Sequence, residues 1–166
     1  GVYTVWEQLL AMLISERTYD ELIRQSQNAI TNFPNQAYLY YASGYGYYKK
    51  EKYDEALEVL NDALIMTGRN LGQKISVYNI LGLVYDELGD LDKSSVAFES
   101  ALSIDPKNPE TLAYYSLMLS KRIAQSEKAI AMTEKALGQP NLRPLTREIL
   151  AEVLYNQKKY NEAYAS

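Results

Sequence analysis

Tyr78-Asn79-Ile80-Leu81-Gly82-Leu83-Val84-Tyr85, followed by Gly89-Asp90, then Phe98, Ala101-Leu102 and Asp105-Pro106, decides the fold of this chain. Tyr78, Leu81, Gly82 and Tyr85 recur at the spacing of one helix face, and Leu91, Ser94, Phe98 and Ala101 do the same after the Gly89-Asp90 turn. Pro106 then ends the second helix. The stretch is therefore a pair of helices joined by a short turn. Shifted against itself by about 34 residues, the chain lines up again: Trp6 falls on Tyr40, Tyr19 on Tyr53, Ala29 on Ala63 and Pro34 on Gly68. One helix pair cannot bury its apolar face alone, so a repeat of this period predicts stacked pairs.

Four units and a fragment follow, at about 3–36, 37–70, 75–108, 109–143 and a partial 144–166, forming one array over 1–166. The first carries Trp6, Leu9, Leu10 and Leu13, then Leu22, Ser26 and Ala29. The second carries Tyr40, Ser43, Gly44 and Tyr47, then Tyr53, Ala56, Leu60 and Ala63. Gly82 follows Gly44 by 38 residues rather than 34, so four extra residues fall within Thr67–Lys74. With Gly68 and Gly72 inside it, that segment reads as an enlarged surface loop where the stack bends or widens. The fourth unit has Leu112, Tyr115, Ser116 and Leu119, then Ala129, Thr133 and Ala136, with one extra residue in its turn near Arg122–Gln125. The fifth has Leu150, Ala151, Leu154 and Tyr160, and is expected to stop one or two turns into a second helix, leaving the array uncapped. Pro34, Pro106, Pro109, Pro140 and Pro144 all fall between units, where they cost no interior hydrogen bond.

The Tyr78–Pro106 stretch closely resembles the tetratricopeptide (TPR) consensus, and the second unit resembles it nearly as well. The resemblance covers essentially the whole chain. It implies an all-α TPR solenoid of stacked antiparallel helix pairs forming a right-handed superhelix. It also implies a protein-binding scaffold, with the first helix of each pair lining the hollow side. Ser94 and Leu22 depart from the consensus where it has a small alanine, and Arg147 where it has a large apolar residue, so the last unit is expected to be imperfectly packed or rotated. Asn108–Ser120, Glu127-Lys128-Ala129, Val153-Leu154-Tyr155 and Lys159-Tyr160 look like TPR proteins of Bacteroidota, often exported or lipid-anchored, which implies a bacterial cell-envelope setting.

Composition narrows the chemistry. Cysteine and histidine are absent, which removes disulfides, thiol nucleophiles, imidazole bases and the usual zinc sites. Glu148 and Glu152, one turn apart, are solvated carboxylates without a convergent partner, so no enzyme, metal or cofactor is expected. A net charge of −4 disfavours phosphate backbones, and with them nucleic acid. No apolar run reaches the roughly 20 residues that span a bilayer. The chain starts with Gly1 and enters a helical pattern by Tyr3, as expected of a segment excised from a longer protein, and both cytoplasm and periplasm remain compatible.

The surface not used for packing points to function. Tyr38, Tyr41, Tyr45 and Tyr48 share the helix face opposite the packing set of the second unit, and four phenol rings are expected to face the groove. Asn79, Ile80, Leu83 and Asp86 of the third unit and Tyr114 and Leu117 of the fourth extend this strip. Tyrosine gives large contact area at low rotamer cost, so a peptide or protein partner is expected. The competing reading is that the rings pack on the neighbouring first helix, as many of the 16 tyrosines must. A clamp for a terminal carboxylate would need cations or asparagine at Glu7, Ala11, Ala42, Ser76 and Ile80, and none stands there. Lys49, Lys50 and Lys52 read as a solvated turn. The alternative function is a structural spacer or self-assembly segment, with Leu150, Leu154 and Tyr160 of the uncapped fifth unit offering apolar surface for self-association.

Overall fold

The structure, a computed structural model, describes residues 1–165 and every side chain among them except that of Ile123. Ser166, the last residue of the expected fifth unit, lies outside them. The described residues form nine α-helices: α1 (Val2–Ser15), α2 (Tyr19–Asn32), α3 (Ala37–Lys49), α4 (Tyr53–Met66), α5 (Leu71–Glu87), α6 (Leu91–Ile104), α7 (Pro109–Ser120), α8 (Ser126–Leu137) and α9 (Pro144–Ala165). A 3₁₀ turn at Ile123–Gln125 takes up the extra residue of the fourth unit. Two compact units divide within α6, the first being Gly1–Ser94.

Helix ends follow local chemistry. Asp20-Glu21 and Asp54-Glu55 place carboxylates in the first turns of α2 and α4, where they complement the positive end of the helix dipole. Arg17, Glu51 and Gly89 all adopt a left-handed conformation (φ 59°, 59° and 76°) in the turns that join the helices of a pair, so the repeat extends to the backbone of its turns. Asn108 caps α7 by accepting the Thr111 N–H at 3.0 Å, with Pro109 at the first helical position.

In the first unit, α1 touches α3 and α3 touches α5, while α2 and α4 pack behind them. No comparable contact joins α2 to α4 among the described residues. The layer of first helices is therefore the more tightly drawn, which makes it the hollow side of this stack. Leu10, Leu13, Leu22, Ala29, Leu39 and Ala42 form the core beneath it. Two glycines allow α3 to approach its neighbours closely. A Cβ on Gly44 would lie 2.5 Å from Leu60 Cγ of α4, and one on Gly46 would lie 2.8 Å from Ile23 Cγ1 of α2. The two departures from consensus in this unit are accommodated. Leu22, fully buried, meets the space left by Gly46, and Ser94 donates a buried 2.7 Å hydrogen bond to the Gly82 carbonyl.

The four extra residues are not a loop. The segment between α4 and α5 shortens to residues 67–70, and Gly72 lies inside α5, which has 17 residues against 13 in α3. Gly68, at φ 51°, closes α4, and Asn70 accepts the Gln73 N–H at 3.0 Å, so the cap sets the start of α5 one turn early.

In the second unit, Tyr115 is fully buried, stacked on Phe98 at 5.3 Å, and its hydroxyl donates to Glu99 Oε1 at 2.8 Å. Lys128 donates to the same hydroxyl at 2.9 Å, which ties α6, α7 and α8 together. That bond, with the Glu99 carboxylate, raises the ammonium pKa against an opposing effect of burial. Here α9 differs from the expected fragment. It is one helix of 22 residues with no turn near Tyr155–Lys159, a stretch without glycine or proline, and Lys158 pairs with Glu162 one turn on. Thr146, Ile149, Leu150, Val153 and Gln157 form its buried seam against α7 and α8. Arg147, Ala151 and Leu154, which in a complete pair would face a second helix, are exposed. Leu150 is buried and offers no surface for association, whereas Leu154 is 49% exposed.

Gly44→Ala is expected to lower stability by about 1–3 kcal/mol, because the added methyl has no room beside Leu60. Gly72→Ala, with only Asn70 Oδ1 within 4 Å, is expected to leave stability unchanged or raise it by up to about 1 kcal/mol. Urea unfolding midpoints of the two variants check both.

Candidate functional site

The tyrosine face is the arc of α3 that points away from its most deeply buried contacts. At about 100° per residue, Leu39, Ala42 and Gly46 point to the α1–α2 core and Gly44 to α4. Tyr40 and Tyr47 turn to the back, donating to the Pro34 carbonyl at 2.8 Å and accepting from Gln27 Nε2 at 2.6 Å. Tyr38, Tyr41, Tyr45 and Tyr48 occupy the remaining arc, and all four are partly buried, neither sealed nor wholly exposed.

Three of these rings form a continuous stack: Tyr38 to Tyr41 at 6.1 Å and 29°, then Tyr41 to Tyr45 at 6.3 Å and 25°. Tyr45 meets Tyr19 edge-on at 6.1 Å, and Tyr48 meets Tyr53 at 6.4 Å. The Lys49 ammonium lies 5.7 Å from the centroids of both Tyr45 and Tyr48. Neighbouring rings thus hold one another in place, and Tyr38 and Tyr45 also rest on the core. A ring fixed in this way by its neighbours has less rotamer freedom left to lose in any further contact.

Beside Tyr38 and Tyr41 the extra turn of α5 opens a hollow of about 360 Å³, lined by Ala37, Tyr38, Tyr41, Asn70, Gly72, Gln73, Ser76 and Val77. On the other side of Tyr38 stands Glu7 of α1, partly buried and hydrogen-bonded by the Tyr3 phenol. Burial first, and the Glu7 carboxylate second, raise the pKa of the Tyr38 phenol, and the same two causes with that hydrogen bond raise Tyr3 further. Asn70, Gly72, Gln73 and Glu7 were not among the site residues expected from sequence. For Asn70, Gly72 and Gln73 the signal was the four-residue slip of register, which turns out to lengthen a helix; Glu7 had none.

The rest of the expected strip is less uniform. Leu83 and Asp86 are partly buried on α5, but Asn79 and Ile80 are each only 3% exposed. Their inclusion is corrected: residues 79 to 82 are all buried, and four successive helix positions cover most of the circumference, so α5 has no free face at that level. Tyr114 and Leu117 lie in the second unit, partly buried against Leu112, Ala113, Ala136, Ile149 and Leu150. Among the described residues no cluster of three or more acidic side chains could hold a metal ion, and no helix is long and apolar enough to cross a membrane.

Comparison with known proteins decides the fold. Residues 75–108 match the tetratricopeptide repeat family. The crystal structure of MamA superposes on 93% of this chain and 78% of that one, with a TM-score of 0.59 and 18% identity. The fold is a tetratricopeptide array. Among curated proteins, Photosystem I assembly protein Ycf3 of Prochlorococcus marinus subsp. pastoris is 28% identical over 93 residues, 56% of this chain and 53% of that protein. The same protein from a second strain of that species is 31% identical over 87 residues, 52% and 50% of the two chains. The chain spans about half the length of the curated relatives it matches. In a TPR frame, Glu7, Tyr38, Tyr41 and Ser76 all belong to first helices, and they gather around one surface of the first unit.

The neutral phenols of Tyr3 and Tyr38 carry a pH dependence of known sign. Their folded pKa values lie above the ordinary tyrosine value of about 10, so their contribution to stability is intact below that pH and is lost as pH rises through the folded values. Glu7→Gln is expected to lower both pKa values, an effect read from the ultraviolet difference spectrum of phenolate in an alkaline titration.

Proposed function

We propose that the chain is a non-enzymatic scaffold whose first unit binds a peptide or protein partner along Tyr38, Tyr41, Tyr45 and Tyr48, with Leu83 and Asp86 beside them. Tyr114 and Leu117 would serve the same end in the second unit. The observation that carries this reading is the stack of three partly buried rings beside an uncharged hollow between α3 and α5, the first helices of their pairs. Pre-arranged aromatic rings are the groups most often found at interface hot spots. The relatives named as assembly proteins support binding to other proteins. Neither cofactor, metal nor nucleic acid enters the proposal, and the chain's net charge of −4 supports leaving nucleic acid out. The likeness of the Asn108–Ser120 stretch to Bacteroidota proteins suggests a bacterial source, with cytoplasm and cell envelope both compatible settings.

Tyr41→Ala combined with Tyr45→Ala is expected to weaken a partner recovered by pull-down at least tenfold, about 2 kcal/mol or more for a true anchor, with helicity unchanged. Unaltered binding by the folded double variant overturns the proposal.

A second reading, a spacer or self-assembly segment, draws on α9, where Leu145, Leu154, Tyr155 and Tyr164 are 51%, 49%, 57% and 72% exposed. These four side chains stand on different faces of the helix, so an associating chain would have to wrap its end rather than dock on one face. If it is right, light scattering shows a mass that rises with concentration and falls back to the monomer in Leu154→Glu. A constant monomer mass removes it.

A further inference from the structure

Resting on the proposal that the tyrosine face binds a polypeptide segment, we infer that this face selects a segment in which a cationic side chain stands next to a bulky uncharged one. The uncharged side chain enters the hollow beside Tyr38 and Tyr41, and the cation lies against Glu7.

The hollow is shaped for one side chain. Its volume of about 360 Å³ is at the small end of ligand clefts, too little for a helix about 10 Å across. Its walls are the Tyr38 and Tyr41 rings, the Val77 side chain and the polar groups of Asn70, Gln73 and Ser76, with no charged group among them. A charge placed there would lose water without gaining a counter-ion, so the occupant is uncharged and, facing two rings, preferably aromatic.

Gly72 points the same way. Gly44 and Gly46 are required because a Cβ would collide, and Gly68 and Gly89 lie at positive φ. Gly72 meets neither condition: a Cβ there would find only Asn70 Oδ1, at 3.7 Å. Glycine is a poorer helix former than alanine, and nothing in the packing of α5 requires it at this position. What glycine does achieve at 72 is an open wall, since any side chain there would grow into the hollow.

The cation follows from Glu7. Its carboxylate is partly buried, it receives the Tyr3 hydroxyl, it acts electrostatically on Tyr38, and none of the ion pairs among the described residues includes it. A cation beside it would gain a charge-assisted bond and the face of an aromatic ring. The chain's own Lys49 already seats an ammonium on Tyr45 and Tyr48 at the opposite end of the stripe. Lys49 already occupies the aromatic faces at its end, so the cation of an incoming segment is placed at the Glu7 end.

The test uses the whole chain, labelled with nitrogen-15, titrated with three capped peptides: Gly-Ser-Arg-Phe-Ser-Gly, the same with Glu for Arg, and the same with Ala for Phe. The Arg-Phe peptide is expected to shift amides of α3 and of residues 70–76 and to bind about tenfold tighter than either of the others. Glu7→Gln should remove the preference for Arg while keeping that for Phe, and Gly72→Leu should do the reverse. Added salt should shrink the Arg preference of the unaltered chain, a readout that needs no variant. Equal affinities for all three peptides, with α3 amides shifting, overturn this inference and leave the tyrosine face as a binding surface. Shifts that spare α3 altogether overturn both.

Discussion

Two glycines on α3 remove the side chains that would otherwise hold neighbouring helices apart. With no Cβ on Gly44, Leu60 of α4 lies against the α3 backbone, and with none on Gly46, Ile23 of α2 does the same on another side. A helix held this closely on two sides has only one broad arc left, and that arc holds Tyr38, Tyr41, Tyr45 and Tyr48. The aromatic surface is thus a consequence of how α3 is packed. Because α3 touches α1 on one flank and α5 on the other, the phenols share a surface with Glu7 and with the start of α5.

Much of this was legible in the residues, and where it was not the reason is physical. Pair boundaries could be read because proline and the turn residues act locally, and the helix faces because apolar spacing reports burial directly. The four extra residues were misread because Gly68 and Gly72 look alike in a sequence. Only the backbone separates them, one at positive φ ending α4 and the other inside α5 behind an asparagine cap. The hollow beside Tyr41 was invisible for the same reason, as it exists only if those residues form a helical turn. Asn79 and Ile80 were placed on the groove by repeat register alone, which cannot foresee that α5 is enclosed at that level. In α9, register suggested a second helix after a turn, and instead one helix runs through to Ala165.

Departures from consensus proved informative in another way. Leu22 and Ser94 replace a small apolar residue, and in both cases a glycine on a first helix takes up the change: Gly46 yields space to Leu22, and the Gly82 carbonyl accepts the Ser94 hydroxyl. Tyr115 serves a structural end instead, closing a hydrogen-bonded network with Glu99 and Lys128 inside the second unit. Tyrosine stands in two settings in this chain, and burial separates them: Tyr115 is sealed, while the four rings of α3 keep contact with solvent.

That contact is what the functional account requires, and it can be observed without a partner. Photochemically induced nuclear polarisation enhances only tyrosine rings that a dye in solution can touch. Enhancement of the assigned Tyr41 and Tyr45 signals, with none from Tyr115, is the result this account predicts. Silence from all four rings of α3 under conditions where Tyr164 responds would contradict it.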